Sequence, residues 1–166
     1  MTPSASSLPA VEDNTIYISA EPLNIVDMFS KAHHAKAGAI VFFSGEVRNE
    51  SNGKEIAFLA YEAQAAIADK MINTILEEAT KRWGLNIAIA QHRVGNVNIC
   101  EPAVVVITAS PHRKEAYEAN RFIIDKIKHE VPIWKCEYFT DGTKLWGGNC
   151  NCHCTTGDIN KHIYDY

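Results

Sequence analysis

The sequence has no excess of positive charge, no long hydrophobic run and no pattern typical of a disulfide framework. Its 166 residues carry 16 Lys and Arg against 20 Asp and Glu, a formal net charge of −4. A general nucleic-acid binder is usually basic, so this balance argues against that class and requires any anion site to be local. No apolar run approaches the ~18 residues that a membrane span needs, so we expect neither a nucleic-acid nor a membrane partner.

Targeting signals and nucleotide-binding patterns are also missing. The opening segment MTPSASSLPA lacks the basic start and the apolar stretch of a secretory signal. We therefore expect a cytosolic protein in which the five cysteines are mostly free thiols. No P-loop and no dinucleotide-binding glycine pattern is present. We expect residues 1–14 to form a flexible N-terminal segment.

The remaining sequence predicts a single folded domain of mixed secondary structure. Apolar residues make up 46% and charged residues 22%, which is typical of a globular protein. Helical spacing predicts helices over residues 65–83 and about 111–129, and β-branched runs predict strands over 39–43, 103–109 and 132–140. Asn52-Gly53 predicts a tight hairpin turn. This order of elements favours an α+β fold over a wound parallel sheet.

The segment Lys126–Glu137 is the most informative for chemistry. It places Lys128 near the end of a predicted helix, before Pro132, and Lys135 in an apolar strand next to Trp134. Partial burial or a neighbouring cation lowers the pKa of a lysine and makes its amine usable as an acid, a base or a nucleophile. A solvated helix-surface lysine is the alternative for Lys128, and the same alternative is weaker for Lys135.

Further cations lie at predicted element ends. His112 and Arg113 follow Ser110-Pro111 at the predicted start of a helix, where free backbone N–H groups favour anions. Arg48 follows a predicted buried strand and its extension. Together with the lysines, these residues suggest a site for an anionic substrate. A solvated first turn and a surface hairpin charge are the alternative interpretations.

The C-terminal tail is rich in cysteine. Cys150, Cys152, His153 and Cys154 lie within five residues and could chelate a soft metal. Paired CxxC hooks are absent and the spacing is tighter than in common structural zinc sites, so we predict no metal site. The alternative function is a non-catalytic metal-binding or interaction protein that acts through this tail. A phosphate-ligand binder without chemistry is a third hypothesis.

Five segments together resemble the family of large, catalytic subunits of molybdopterin synthase. They are GAIVFFSGEVRN (38–49), LAYEAQ (59–64), QHRVGNVNICEPAVVV (91–106), SPHRKEAYEA (110–119) and IKHEVPIWKCE (127–137). The resemblance covers about residues 15–146, which would form the catalytic domain, and leaves residues 147–166 as a Cys-rich C-terminal tail.

The resemblance implies a fold, partners and a reaction. The fold would be of the α/β-hammerhead type, with antiparallel strands and two main helices. A homodimer would form the core of a heterotetramer with two small ubiquitin-like sulfur carriers, each ending in a Gly-Gly thiocarboxylate. This sulfurtransferase would convert cyclic pyranopterin monophosphate (precursor Z) to molybdopterin, within molybdenum cofactor biosynthesis. We expect no cofactor. The sulfur would arrive on the partner, so no activated cysteine is required in this chain.

The family's substrate-pocket positions can be carried over residue by residue. Lys128 and Lys135 are the two that we expect to be catalytic, because sulfur transfer needs proton delivery. The full set of expected substrate-binding residues is Glu46, Val47, Arg48, His112, Arg113, Lys128, Lys135, Cys136 and Glu137.

Overall fold

The computed structural model describes residues 16–148, in which strands and helices are interspersed. In chain order this part of the protein contains β1 (Ile18–Ser19), α1 (Ile25–Ser30), β2 (Ala39–Glu46), β3 (Glu50–Ser51), β4 (Lys54–Ala63), α2 (Ala65–Trp83), β5 (Ile87–Arg93), β6 (Gly95–Asn98), β7 (Pro102–Ser110), α3 (Arg113–Glu130), β8 (Ile133–Phe139) and β9 (Lys144–Gly148).

The strands form two sheets. The first has the order β1-β5-β7-β2, and the second has the order β3-β4-β8-β9, with β6 also paired to β4. Every pairing among the described strands is antiparallel except that of β1 with β5. The predicted α+β fold with antiparallel strands and two main helices is confirmed, and the short α1 adds a third helix.

The two long helices begin and end where local sequence allows. α2 ends at Gly84, whose φ of 60° is the left-handed conformation that glycine adopts without strain. α3 begins at Arg113, and His112 is its N-cap residue without a side-chain cap bond. Ser110 does not cap this helix, because it is the last residue of β7 and its hydroxyl donates to the His112 backbone oxygen.

Two hairpins shape the second sheet. Asn52 and Gly53 have φ values of 51° and 76°, which confirms the predicted tight turn between β3 and β4. β9 returns along β8, where Lys135 pairs with Gly147 and Trp134 with Gly148. The last strand therefore extends two residues beyond residue 146, the end that we predicted for the catalytic domain.

The central strand β7 joins two packing layers, which explains its run of β-branched residues. Val104 and Val106 belong to the main core with α2 and α3. Val105 and Ile107 face the smaller cluster below α1. A strand buried on both faces reads as a continuous apolar run. This packing fixes α3 across the first sheet, and the chain that leaves α3 enters the second sheet as β8.

Candidate active site

An open cleft lies between the end of β2, the hairpin β3–β4 and the paired strands β8 and β9. Its volume is about 990 Å³. We call it the outer cleft. Its lining residues are Glu46, Val47, Arg48, Asn49, Glu50, Ser51, Asn52, Ile99, Cys100, Lys135, Glu137, Leu145, Gly147 and Gly148.

A smaller pocket of about 90 Å³ continues the outer cleft inward, and we call it the inner pocket. Six residues line both spaces, namely Glu46, Arg48, Glu50, Ser51, Lys135 and Glu137. The residues that line only the inner pocket are Gly45, Ile56, Leu59, Tyr61 and Lys128. The predicted reactive lysines are therefore brought together at the inner end of a solvent-open cleft, among mostly polar and charged side chains.

Lys135 and Glu137 form a buried ion pair on β8. Residues two apart on a strand share a face of the sheet, and Lys135 Nζ lies 3.0 Å from Glu137 Oε1. Only 8% of Lys135 and 7% of Glu137 is exposed. The Ser51 hydroxyl donates to the same Glu137 oxygen at 3.1 Å. A buried charge is tolerated when it is paired and hydrogen-bonded, so this arrangement holds a fixed cation at the floor of the cleft.

Lys128 lies in the last turn of α3 and is half-buried. Burial, and next the positive charge of Lys135, lower the pKa of Lys128 from the ordinary lysine value of 10.5 to about 8. Burial acts in this direction because it disfavours the charged form of an amine. This amine can thus give up and regain a proton near neutral pH.

The residues Glu46–Arg48 reach the cleft because β2 is irregular at its end. The register of β2 against β7 shifts between Gly45 and Glu46. A Cβ atom on Gly45 would lie 2.6 Å from the Val104 Cγ1 atom, so this close approach needs glycine. Arg48 is exposed at the cleft, whereas Val47 is a buried core residue whose backbone N–H donates to the Glu101 oxygen at 3.1 Å.

His112 and Arg113 lie far from the cleft of their own chain. They are at the N-terminal end of α3, and Lys128 is at the other end. A helix rises 1.5 Å per residue, so about 22 Å separates Arg113 from Lys128. Neither residue lines the outer cleft or the inner pocket. Their expected substrate-binding role stays a prediction that one chain does not fulfil alone.

The five cysteines of the chain belong to β8, to the outer cleft and to the C-terminal tail. Cys136 is fully buried and alternates with Lys135 and Glu137, so its side chain points to the other face of β8 and lines neither space. Its expected contact with substrate stays a prediction. From the sequence, Cys100 and Cys136 were both expected to be small packing residues; this is wrong for Cys100, which is an exposed thiol lining the outer cleft. The tail residues Cys150, Cys152, His153 and Cys154 lie outside the described residues.

Tyr61 and Ser51 are the other site residues that sequence reasoning missed. Tyr61 could have been identified from the sequence, because it lies in the LAYEAQ segment on a predicted strand. Ser51 lines the site through the β3–β4 hairpin, and its partner Glu137 is 86 positions away. No local pattern could predict that contact. Within residues 16–148, no three His, Cys, Asp or Glu side chains converge to hold a metal. In the same range, no helix is long and apolar enough to span a membrane.

Comparisons with known proteins agree with this geometry. A family model described as "MoaE protein" matches residues 18–130. A molybdopterin synthase catalytic subunit from Thermoplasma volcanium is 39% identical over 131 residues, which cover 79% of this chain and 96% of that protein.

Two solved structures share the fold. The structure of molybdopterin synthase from Staphylococcus aureus superposes with a TM-score of 0.76 at 36% identity, covering 80% of this chain and 96% of that one. A complex of subunits 1 and 2 of molybdopterin-converting factor from Helicobacter pylori gives a TM-score of 0.65 at 24% identity, covering 78% of this chain and 88% of that one. At that identity the second match supports the fold alone.

Proposed function

This chain belongs to the MoaE protein family. We propose that it acts as the catalytic subunit of a molybdopterin synthase, with its own residues carrying out the reaction. The proposed reaction is sulfur transfer from the thiocarboxylate of a small carrier protein to cyclic pyranopterin monophosphate. The observation that supports it best is the pair of lysines at the inner end of the cleft, one with a pKa near 8 and one fixed by a carboxylate.

The outer cleft suits two anionic ligands at once. Its volume of about 990 Å³ is at the upper end of the range for small-molecule sites, which run to roughly 1,000 Å³. This leaves room for a pterin phosphate beside an extended carrier terminus. Arg48 at the cleft and Lys135 on its floor supply positive charge for a phosphate and a thiocarboxylate.

The chemistry divides into two steps for each sulfur. In the first step the thiocarboxylate sulfur attacks a substrate carbon, a C–S bond forms and a C–O bond breaks. The departing oxygen takes a proton, and we assign its delivery to Lys128, whose lowered pKa suits a general acid. In the second step water adds to the thioester carbonyl and expels the sulfur on the substrate. The carrier leaves with an ordinary carboxylate, and a second carrier repeats the sequence.

Lys135 has a different part in this proposal. Its ammonium group is 3.0 Å from Glu137 Oε1 and stays in place as a fixed positive charge. That charge attracts the anionic sulfur donor and also contributes to the lowered pKa of Lys128. Lys135 therefore orients the reacting groups while Lys128 moves the proton.

A second copy of the chain would complete the site. β2 is an edge strand of the first sheet, and 39% of its Phe42 is exposed. Antiparallel pairing of two β2 edges across a two-fold axis would set the Ala39 end of one copy beside the Glu46 end of the other. Ser110 pairs with Ala39, so His112 and Arg113 would approach the partner's cleft. This supports the homodimer at the core of the expected heterotetramer.

The proposal also includes a partner subunit and a cellular compartment. The small sulfur carrier is the second subunit of the proposed complex, as membership of the family implies. We place the protein in the cytosol, where thiols such as those of Cys100 and Cys136 stay reduced.

Reconstitution tests the function directly. The chain is mixed with thiocarboxylated carrier and precursor Z, and dithiolene formation is followed in single turnovers. Product formation is expected with the wild type, and loss of a general acid at Lys128 should slow it about 10²–10⁴-fold. Absence of product from the correctly folded wild type with an active carrier would overturn the proposal.

A further inference from the structure

Tyr61 is an inner-pocket residue to which the sulfur-transfer steps above give no role. It pairs with Lys135 in the register of β4 against β8, so its side chain shares the face that carries Lys135 and Glu137. It lines the inner pocket with these residues and Lys128. Only 5% of Tyr61 is exposed, so the residue reaches the pocket with a small part of its surface.

The Tyr61 ring is fixed by packing and not through its hydroxyl. The ring lies edge-to-face on His92, with 5.0 Å between the centroids. His92 is itself fully buried, and its Nδ1 lies 2.8 Å from the Arg93 backbone oxygen. Within the part of the chain that the structure describes, the Tyr61 hydroxyl has no hydrogen-bond partner, yet it is not sealed from the pocket. A hydroxyl that is open to the pocket and has no partner among residues 16–148 is available to donate to a ligand atom.

The hydroxyl is a neutral donor at every working pH. Burial, and next the nearby carboxylate of Glu137, raise the pKa of Tyr61 to about 12. The group therefore keeps its proton while Lys128 exchanges one near pH 8. A neutral donor can bind an oxygen that acquires negative charge during a reaction, without adding a third cation to the pocket.

We propose that the Tyr61 hydroxyl donates a hydrogen bond to the oxygen that becomes negatively charged in the inner pocket. This inference rests on the proposed function, which supplies such an oxygen: the carbonyl oxygen of the thioester between carrier and substrate. When water adds to that carbonyl carbon, the C=O electron pair moves onto the oxygen. The Tyr61 donor stabilises this oxyanion until it collapses and expels the sulfur on the substrate.

The test compares Tyr61→Phe with Tyr138→Phe in the reconstituted complex. Tyr138 is a matched control, because it lies on the neighbouring strand, stacks on Phe58 at 4.5 Å and lines neither cavity space. Removing an oxyanion donor should lower kcat about 10²-fold and leave KM for precursor Z nearly unchanged. The thioester adduct should accumulate in Tyr61→Phe and be visible as a mass shift of the carrier. Tyr138→Phe should behave like the wild type.

A stability measurement separates this role from a structural one. The Tyr61 hydroxyl makes no hydrogen bond to residues 16–148, so Tyr61→Phe should be as stable as the wild type or more stable. Unchanged kcat, a loss confined to KM, a fall in rate without adduct accumulation, or a destabilised variant would each overturn the proposal. A wild type that forms no product would instead overturn the proposed function, so the two failures are distinguishable.

Discussion

Replacing Lys128 by Met should stabilise the protein while it abolishes turnover. The lowered pKa of Lys128, about 8 against 10.5, means that the folded protein binds this proton more weakly than the unfolded chain does. The protonated amine therefore costs stability at pH 7, by about 3 kcal/mol at most from the linkage relation. Methionine has a similar length and no charge, so Lys128→Met removes that cost.

The lowered pKa of Lys128 also predicts the direction in which the free energy of unfolding changes with pH. Unfolding of the wild type takes up a proton between pH 8 and 10.5, so its free energy of unfolding should rise with pH across that window. The cost of the charged amine falls from about 3 kcal/mol at pH 7 to about 1 kcal/mol at pH 9.5. The stability advantage of Lys128→Met should therefore shrink by about 2 kcal/mol between these pH values. Measurements should stop near pH 9.5, because the raised pKa of Tyr61 opposes folding at higher pH.

Urea unfolding at both pH values, at one fixed protein concentration, measures the effect. Lys114→Met is the control on the same helix, because its ammonium group is exposed and pairs loosely with Glu118 at 4.0 Å. The control should show neither the gain at pH 7 nor the change with pH. Equal pH dependence for Lys128→Met and wild type would refute the reasoning, as would turnover by the folded Lys128→Met variant above about a tenth of the wild-type rate.

Two further predictions concern the assembly and the cleft wall. If a second copy supplies Arg113, mixing Lys128→Ala and Arg113→Ala proteins, each inactive alone, should restore about a quarter of wild-type activity. Half of the dimers are then mixed, and each mixed dimer has one intact site out of two. No recovery after proven subunit exchange would contradict the shared site. Gly45→Ala should lower the free energy of unfolding by about 1–3 kcal/mol, since its Cβ atom would lie 2.6 Å from Val104 Cγ1. Gly147→Ala is the control in the same cleft, with no atom within 4 Å of the new Cβ, and equal urea midpoints for the two variants would show that the contact at Gly45 relaxes freely.

Local sequence could predict the lowered pKa of Lys128 but not which residues surround it. Its place at a helix end before Pro132, with a second lysine nearby in the chain, was enough to expect a lowered pKa. The pairing of Lys135 with Glu137 was also within reach, because residues two apart on a strand share a face. The sequence could not show which end of α3 meets the cleft. His112 and Arg113 were expected in the substrate pocket from the family resemblance, although the length of α3 separates them from Lys128 in one chain.

The edges of elements were harder to predict than their interiors. The apolar spacing of α2 points its first isoleucine, Ile67, inward, yet this residue is half exposed. Further along the helix the same spacing is correct, because Ile72, Ile75, Leu76 and Ala79 are buried. β9 was missed because Lys144–Gly148 contains two glycines and no β-branched residue. Its strand conformation comes from pairing with β8, which local propensity does not encode.

Binding of an anion in the inner pocket should protonate Lys128 before it delivers its proton. Burial is the main cause of its lowered pKa, and the charge of Lys135 is the second. An anion entering the pocket opposes the effect of Lys135, so binding of the carrier terminus should raise the pKa of Lys128. At pH 8.5 complex formation should then take up as much as about three quarters of a proton. Calorimetry in buffers of different ionisation enthalpy measures this uptake with a carrier that ends in an ordinary carboxylate. Lys128→Met should bind without that proton, and equal uptake by the variant would refute the assignment of the proton to Lys128.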